Sequence, residues 1–126
     1  MAYEGEGIDI TVPAAADLSS HQYKYVKVDA NGRCNITSAV TDISVGILQN
    51  KPSAVDVPGR VRVAGVSKLK FNAAIDDGVL VTSNTQGFGV AQGTAGAFCG
   101  AITLHSVGGS GDVGDVLVVH TFQYNA

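Results

Sequence analysis

Tyr23-Lys24-Tyr25-Val26-Lys27-Val28, the turn Asp29-Ala30-Asn31-Gly32, and Cys34-Asn35-Ile36-Thr37 are the stretch that decides the fold. The first six residues alternate with a period of two, the repeat of a strand whose side chains point to opposite faces. Asp, Asn and Gly then cluster where a chain reverses, and a short return strand follows. A helix needs apolar residues recurring at a spacing of three to four, and this stretch has none of that period.

The same grammar extends in both directions. Ser44 to Gln49 is a compact apolar strand with Val-Gly-Ile-Leu at its centre. Arg60-Val61-Arg62-Val63 and Lys68-Leu69-Lys70-Phe71 both alternate, with Ala64-Gly65 between them as a bend or bulge. Val79 to Thr82 follows the Asp76-Asp77-Gly78 turn, and Gly87 to Ala91, Ala97 to Leu104 and Val116 to Tyr124 complete the series. The one Ala-rich stretch, Pro13 to Ser20, is too short for an independent helix. Strands at this spacing predict an all-β sandwich or small barrel. A weak repeat accompanies them: VKVDANGRCNITSA from Val26 precedes VGILQ, and LVTSNTQGFGVAQG from Leu80 precedes CGAITLH. Both copies read strand, polar turn closing on Gly (Gly32, Gly87), return strand, then a Gly before apolar residues (Gly46, Gly100). Duplication of one unit and a shared meander grammar both account for it.

The 126 residues suit a single domain, able to bury roughly two-thirds of its unfolded surface. Residues 1–20 read as an N-terminal arm and residues 21–126 as one β domain. Charged residues make up 15%, against about 25% in ordinary soluble domains, so the surface is polar but weakly charged. Such a surface suits packing against other proteins. A net charge of −3 argues against a nucleic-acid partner, which demands many Lys and Arg to neutralise phosphates. No apolar run approaches the ~20 residues that span a bilayer, so no membrane partner is expected. The acidic start MAYEGEGIDITVP is unlike a secretory leader, which implies synthesis in a cytoplasm. There Cys34 and Cys99 are expected as buried thiols.

No chemistry-bearing constellation survives its context. Gly109-Ser110-Gly111-Asp112-Val113-Gly114 matches a dinucleotide fingerprint, but a strand pattern follows where a helix must begin. The loop is one residue short of a calcium-binding repeat and lacks the final Gly of a nucleophile elbow. His21, His105 and His120 share no ligand spacing, and His120 in an apolar strand reads as a structural histidine. Asp76-Asp77 before Gly78 reads as an exposed turn. Asn35-Ile36-Thr37 is a glycosylation sequon, without weight outside a secretory route. No catalytic, metal or cofactor residue is assigned, and no enzyme activity or cofactor is expected. Arg60, Arg62, Lys68 and Lys70 share one sheet face if their strands pair about the bend, either as a solvated face or as an electrostatic patch for an acidic partner.

The strand, Asp-Ala-Asn-Gly-Arg turn and return strand, then Ser44-Val45-Gly46-Ile47-Leu48-Gln49, then Gly59-Arg60-Val61-Arg62-Val63-Ala64-Gly65, resemble the tailed-phage capsid decoration (cement) proteins and, more distantly, the lambda head-decoration protein. The resemblance runs from Tyr23 to Gln92, and the Gly-Ser loop from Val107 to Asp115 has no counterpart in it. It implies a compact β-barrel or β-tulip with an extended N-terminal arm. It further implies a homotrimer bound to the major capsid protein on the outside of an expanded head, which the subunits stabilise. The arm candidates for capsid contact are Ala2, Tyr3, Glu4, Ile8, Ile10 and Val12, and residues 2–12 are expected to be mobile until bound. In Val116-Leu117-Val118-Val119 apolar residues run together, so one alternate pair belongs in the core and the other at a subunit contact. The alternative is a small β module of a phage tail, fibre or surface layer that recognises a receptor or glycan.

Overall fold

The structure, a computed structural model, describes residues 7–93 and 96–122. Among them it is all-β and contains no helix. Nine strands, β1 (Gly7–Pro13), β2 (Tyr25–Val28), β3 (Cys34–Ile36), β4 (Gly46–Leu48), β5 (Pro58–Lys70), β6 (Leu80–Ser83), β7 (Gly89–Ala91), β8 (Phe98–Thr103) and β9 (Val113–Phe122), form one antiparallel sheet curled into a half-barrel. The order across it is β3-β2-β4-β5-β9-β8-β6-β7, with β1 added to β5.

That order is two copies of one unit. In each, a hairpin (β2–β3, β6–β7) takes a third strand on the free edge of its first strand (β4 on β2, β8 on β6). A long fourth strand follows, β5 or β9, and the two fourth strands pair from Gly65↔Val118 to Lys70↔Val113. The hairpin turns match atom for atom. Asp29 Oδ1 accepts the amides of Asn31 and Arg33, and Asn84 Oδ1 accepts those of Gln86 and Phe88. Gly32 and Gly87 then turn back with φ of 75° and 78°, a region that side-chain-bearing residues avoid. The repeated polar-turn-plus-Gly pattern is therefore the record of one turn used twice.

The buried side chains form two clusters. Val12, Ala14, Leu18, Val26, Cys34, Leu48 and Val61 make one, enclosed where Ala14 bridges back to Cys34. Tyr25, Ile47, Leu69, Phe71, Ile75, Val81, Ala101, Val116 and Val118 make the other, enclosed where Phe71 bridges to Gly89. β5 belongs to both, through Val61 and Leu69, and changes direction at Gly65, whose φ is 91°. The expected bend thus marks the passage from one cluster to the other. Within the second cluster Tyr25 of β2 reaches β6, its buried hydroxyl donating to the Val81 carbonyl at 3.0 Å.

The Ala-rich stretch forms no helix, as its length implied, but this part of the expected arm is anchored: Ala14 and Leu18 are core residues, held by backbone bonds from Ala15 to Cys34 and from Leu18 to Pro52. Residues 7–12 of the expected mobile arm are extended but bound, as β1, along β5 from Gly7↔Gly65 to Pro13↔Pro58. Val12 is buried against the first cluster, so it is a core residue and unavailable at the surface. The reason is register: Val12 lies opposite Gly59, where a side chain would crowd the Val12 carbonyl, the Cys34 sulfur and Leu48. Ala2, Tyr3 and Glu4 lie outside the described residues.

In β9 the alternation separates Val116 and Val118, which are buried, from Leu117, 39% exposed, and Val119, half-buried. Val116→Ala should therefore lower folding stability by about 2 kcal/mol in chemical denaturation, and Leu117→Ala by about 1 kcal/mol or less. Equal losses at the two positions would contradict this packing.

Candidate interaction surface

The outer face of the second unit carries an apolar row. Val66 of β5 lies opposite Leu117 of β9, Leu117 opposite Ile102 of β8, and Ile102 opposite Leu80 of β6. Side chains directly opposite on antiparallel strands touch, so these four form a continuous stripe across four strands. Their chain neighbours Ser67, Val116, Ala101 and Val81 are buried. The row therefore faces away from the core, and Leu117 is its most exposed member. Val116 and Val118, also considered for a subunit contact, point into the core instead. Periodicity along single strands could find Leu117; the row itself needed the register between strands.

β1 provides a second exposed apolar element, with Ile8 64% exposed and Ile10 39%. Asp9 between them anchors the strand. Its carboxylate takes Arg62 Nε at 2.7 Å and Nη2 at 3.3 Å, and Arg60 Nε lies 3.4 Å away. The Arg62 hydrogen bond holds Asp9 below the usual carboxylate range against the opposing effect of burial, helped by the charges of Arg62 and Arg60. Arg62 also donates to the Val66 carbonyl at 2.8 Å, which ties the anchor to the bend.

The four cations expected on one face alternate with buried residues, but β1 and β9 divide their charges. Arg60 and Arg62 both pair with the one carboxylate of Asp9. Lys68 sits opposite Asp115, and Lys70 opposite Val113, with no acid across from it. Lys70 instead joins a cluster that strand patterning did not reveal. Lys24, only 6% exposed, places Nζ 2.9 Å from His21 Nδ1 and 4.2 Å from the centre of the Phe88 ring. Burial and the charge of Lys70 both push the Lys24 ammonium down from its ordinary value. Burial first, then Lys24 and Lys70, lower His21, while Asp17 opposes them.

The remaining polar residues have structural partners. Ser106 donates its amide to Asp77 Oδ1 at 2.6 Å, so that carboxylate of the exposed turn bonds a distant loop. His120 Nε2 lies 3.1 Å from the Val45 carbonyl. Cys34 and Cys99 are free and buried, and burial raises both thiols, as suits inert side chains. The 107–115 loop is pinned to the end of β5, since the Gly111 amide donates to the Phe71 carbonyl at 2.7 Å and the Phe71 amide to that of Asp112 at 2.9 Å. No group of His, Cys, Asp and Glu fit to hold a metal occurs among the described residues.

The Asp9 contact carries a pH dependence. A carboxylate lowered on folding stabilises the fold above its unfolded pKa, about 3.9, and that contribution is lost as pH falls through the lower folded value. Asp9→Asn should therefore weaken hydrogen-exchange protection of β1 at pH 7 by about 1 kcal/mol, with the difference from wild type vanishing once pH falls below that folded value. Identical protection at pH 7 would show that the ion pair does not hold β1.

No family model and no curated protein matches the chain. Among solved structures, the N base of the head fiber gp8.5 of bacteriophage phi29 is similar over 95% of this chain and 100% of that one. The TM-score is 0.66 and the identity 10%, which establishes a shared fold.

Proposed function

We propose that this chain is a non-enzymatic structural protein of a tailed-phage virion that binds the outside of the capsid and stabilises the expanded head. The observation that carries the proposal is the end-to-end likeness to a phage head-fiber base, matched over its whole length. A weakly charged surface, with an apolar row on one sheet face and exposed isoleucines on β1, supports a life spent packed against other proteins. The partner in this reading is the major capsid protein, and the assembly is a homotrimer at three-fold or quasi-three-fold positions. Leu117 and Val119 are placed at the contact between copies, and Ile8 and Ile10 on the capsid. Modest contacts suffice, because a trimer engaging several capsid subunits gains avidity from their linkage.

A second reading takes its support from the same neighbour: the domain is the base of a fibre that projects from the head, and receptor or glycan recognition lies in what that base carries.

Co-sedimentation with expanded and unexpanded heads, joined to light scattering of the free protein, tests the proposal. Preferential binding to expanded heads is expected, with Leu117→Asp leaving thermal unfolding nearly unchanged while impairing trimer formation or head binding. Failure to bind either kind of head, or binding of single copies at non-symmetric positions, would overturn it.

A further inference from the structure

The His21–Lys24–Lys70 cluster is out of keeping with the rest of the molecule. Of the other cations, Lys27 pairs with Asp42, Arg33 with Asp56, and Arg60 and Arg62 with Asp9, while Lys51 and Lys68 have no ion pair among the described residues but are exposed to water. Lys24 is buried and Lys70 half-buried, yet neither has a carboxylate within salt-bridge distance among the described residues. Asp17 is the one acid acting on His21, and its Oδ1 is already taken by the Ser19 amide at 3.0 Å and hydroxyl at 2.6 Å. Two lysines that repel one another are thus held together, one of them out of water, in a protein of net charge −3.

The framework around them is rigid and strained. Tyr23, next to Lys24, has φ of 67°, a conformation that costs a bulky residue energy. It is held there because its amide donates to the Leu48 carbonyl at 2.7 Å and its carbonyl accepts the Lys70 amide at 2.8 Å. These bonds fix the lysine backbones side by side. For Lys24 to donate to His21 Nδ1, that nitrogen must be unprotonated, which puts the imidazole proton on Nε2. The cluster therefore offers two ammonium groups and one imidazole N–H.

We propose that His21, Lys24 and Lys70 form a carboxylate-binding site that receives an Asp or Glu side chain of a partner protein. A carboxylate supplies the countercharge the cluster lacks, and half-buried Lys70 is the more accessible of the two lysines. Phosphate is the less suited anion, since the site has no arginine fork to grip its oxygens. The inference stands apart from the virion reading, because it names the chemistry of a contact and not the protein that makes it.

Nuclear magnetic resonance of the full chain tests it, with an end-capped tetraglutamate peptide as the probe and sodium chloride at matched ionic strength as the reference. The peptide should give saturable shifts at His21, Tyr23, Lys24 and Lys70. The His21 titration midpoint should rise when it binds, and reciprocally the affinity should increase as pH falls from 7 to 5, with Lys24, Lys70 and Asp17 the charges facing that ring. Lys70→Ala should weaken binding by about fivefold and Lys51→Ala, at an exposed lysine, should not. Lys24→Met is a second variant; should it fail to fold, Lys70→Ala decides alone. The same shifts with sodium chloride, equal affinities of Lys70→Ala and Lys51→Ala, or tighter binding of inorganic phosphate than of the peptide would each overturn the proposal.

Discussion

The antiparallel ladder between β5 and β9 is the interaction on which the rest of the molecule depends. Each half of the chain is a hairpin with a third strand and a long fourth. Joined along their fourth strands, the halves become one sheet long enough to curl and bring its ends back upon itself. The ladder also delivers Leu69, Val116 and Val118 into one cluster while β5 continues past Gly65 to place Val61 in the other. The glycine at the bend has a direct reason: with φ at 91°, any other residue strains the strand where it passes between the clusters.

The surface follows from the same geometry. Where β9 leaves β5 at Gly65, the vacated positions on β5 are taken by β1. That placement brings Asp9 onto Arg60 and Arg62, and converts part of what a bare strand would display as a basic stripe into an ion-paired anchor. Lys68 and Lys70 at the other end of β5 have no ion pair among the described residues, and there the neighbouring backbone brings Lys24 and His21 near Lys70.

Much of the fold was legible because strands and turns are local. The β2 hairpin, though its strand starts at Tyr25 and not Tyr23, the turns closing on Gly32 and Gly87, and the Ala64-Gly65 bend all express preferences of a few adjacent residues. The repeat was legible for the same reason, since Asp29 and Asn84 carry the same turn chemistry in sequence. What escaped depended on register between distant strands. Val12 looked like an arm residue because nothing near it in sequence reveals that Gly59 lies opposite. The four cations looked alike along β5, and only their cross-strand neighbours told them apart. The apolar row from Val66 to Leu80 is assembled from four separate strands, and Lys24 beside Phe88 from two separate turns. Neither can be seen in any single window.

The order of the two clusters along the chain bears on how the protein comes into being. All the residues of the first, from Val12 to Val61, precede β6, so that cluster can close while the later half is still being synthesised. The second cannot, because Leu69 and Phe71 must wait for Val116 and Val118. For the time a ribosome needs to add the intervening residues, on the order of several seconds at about 5–20 residues per second, a nascent chain presents a finished half beside an open apolar edge. The half that forms first carries its β1 partner along the far end of β5, which leaves only the near end available to the strand that arrives later. The early occupation of one end of β5 thus directs the late strand to the other.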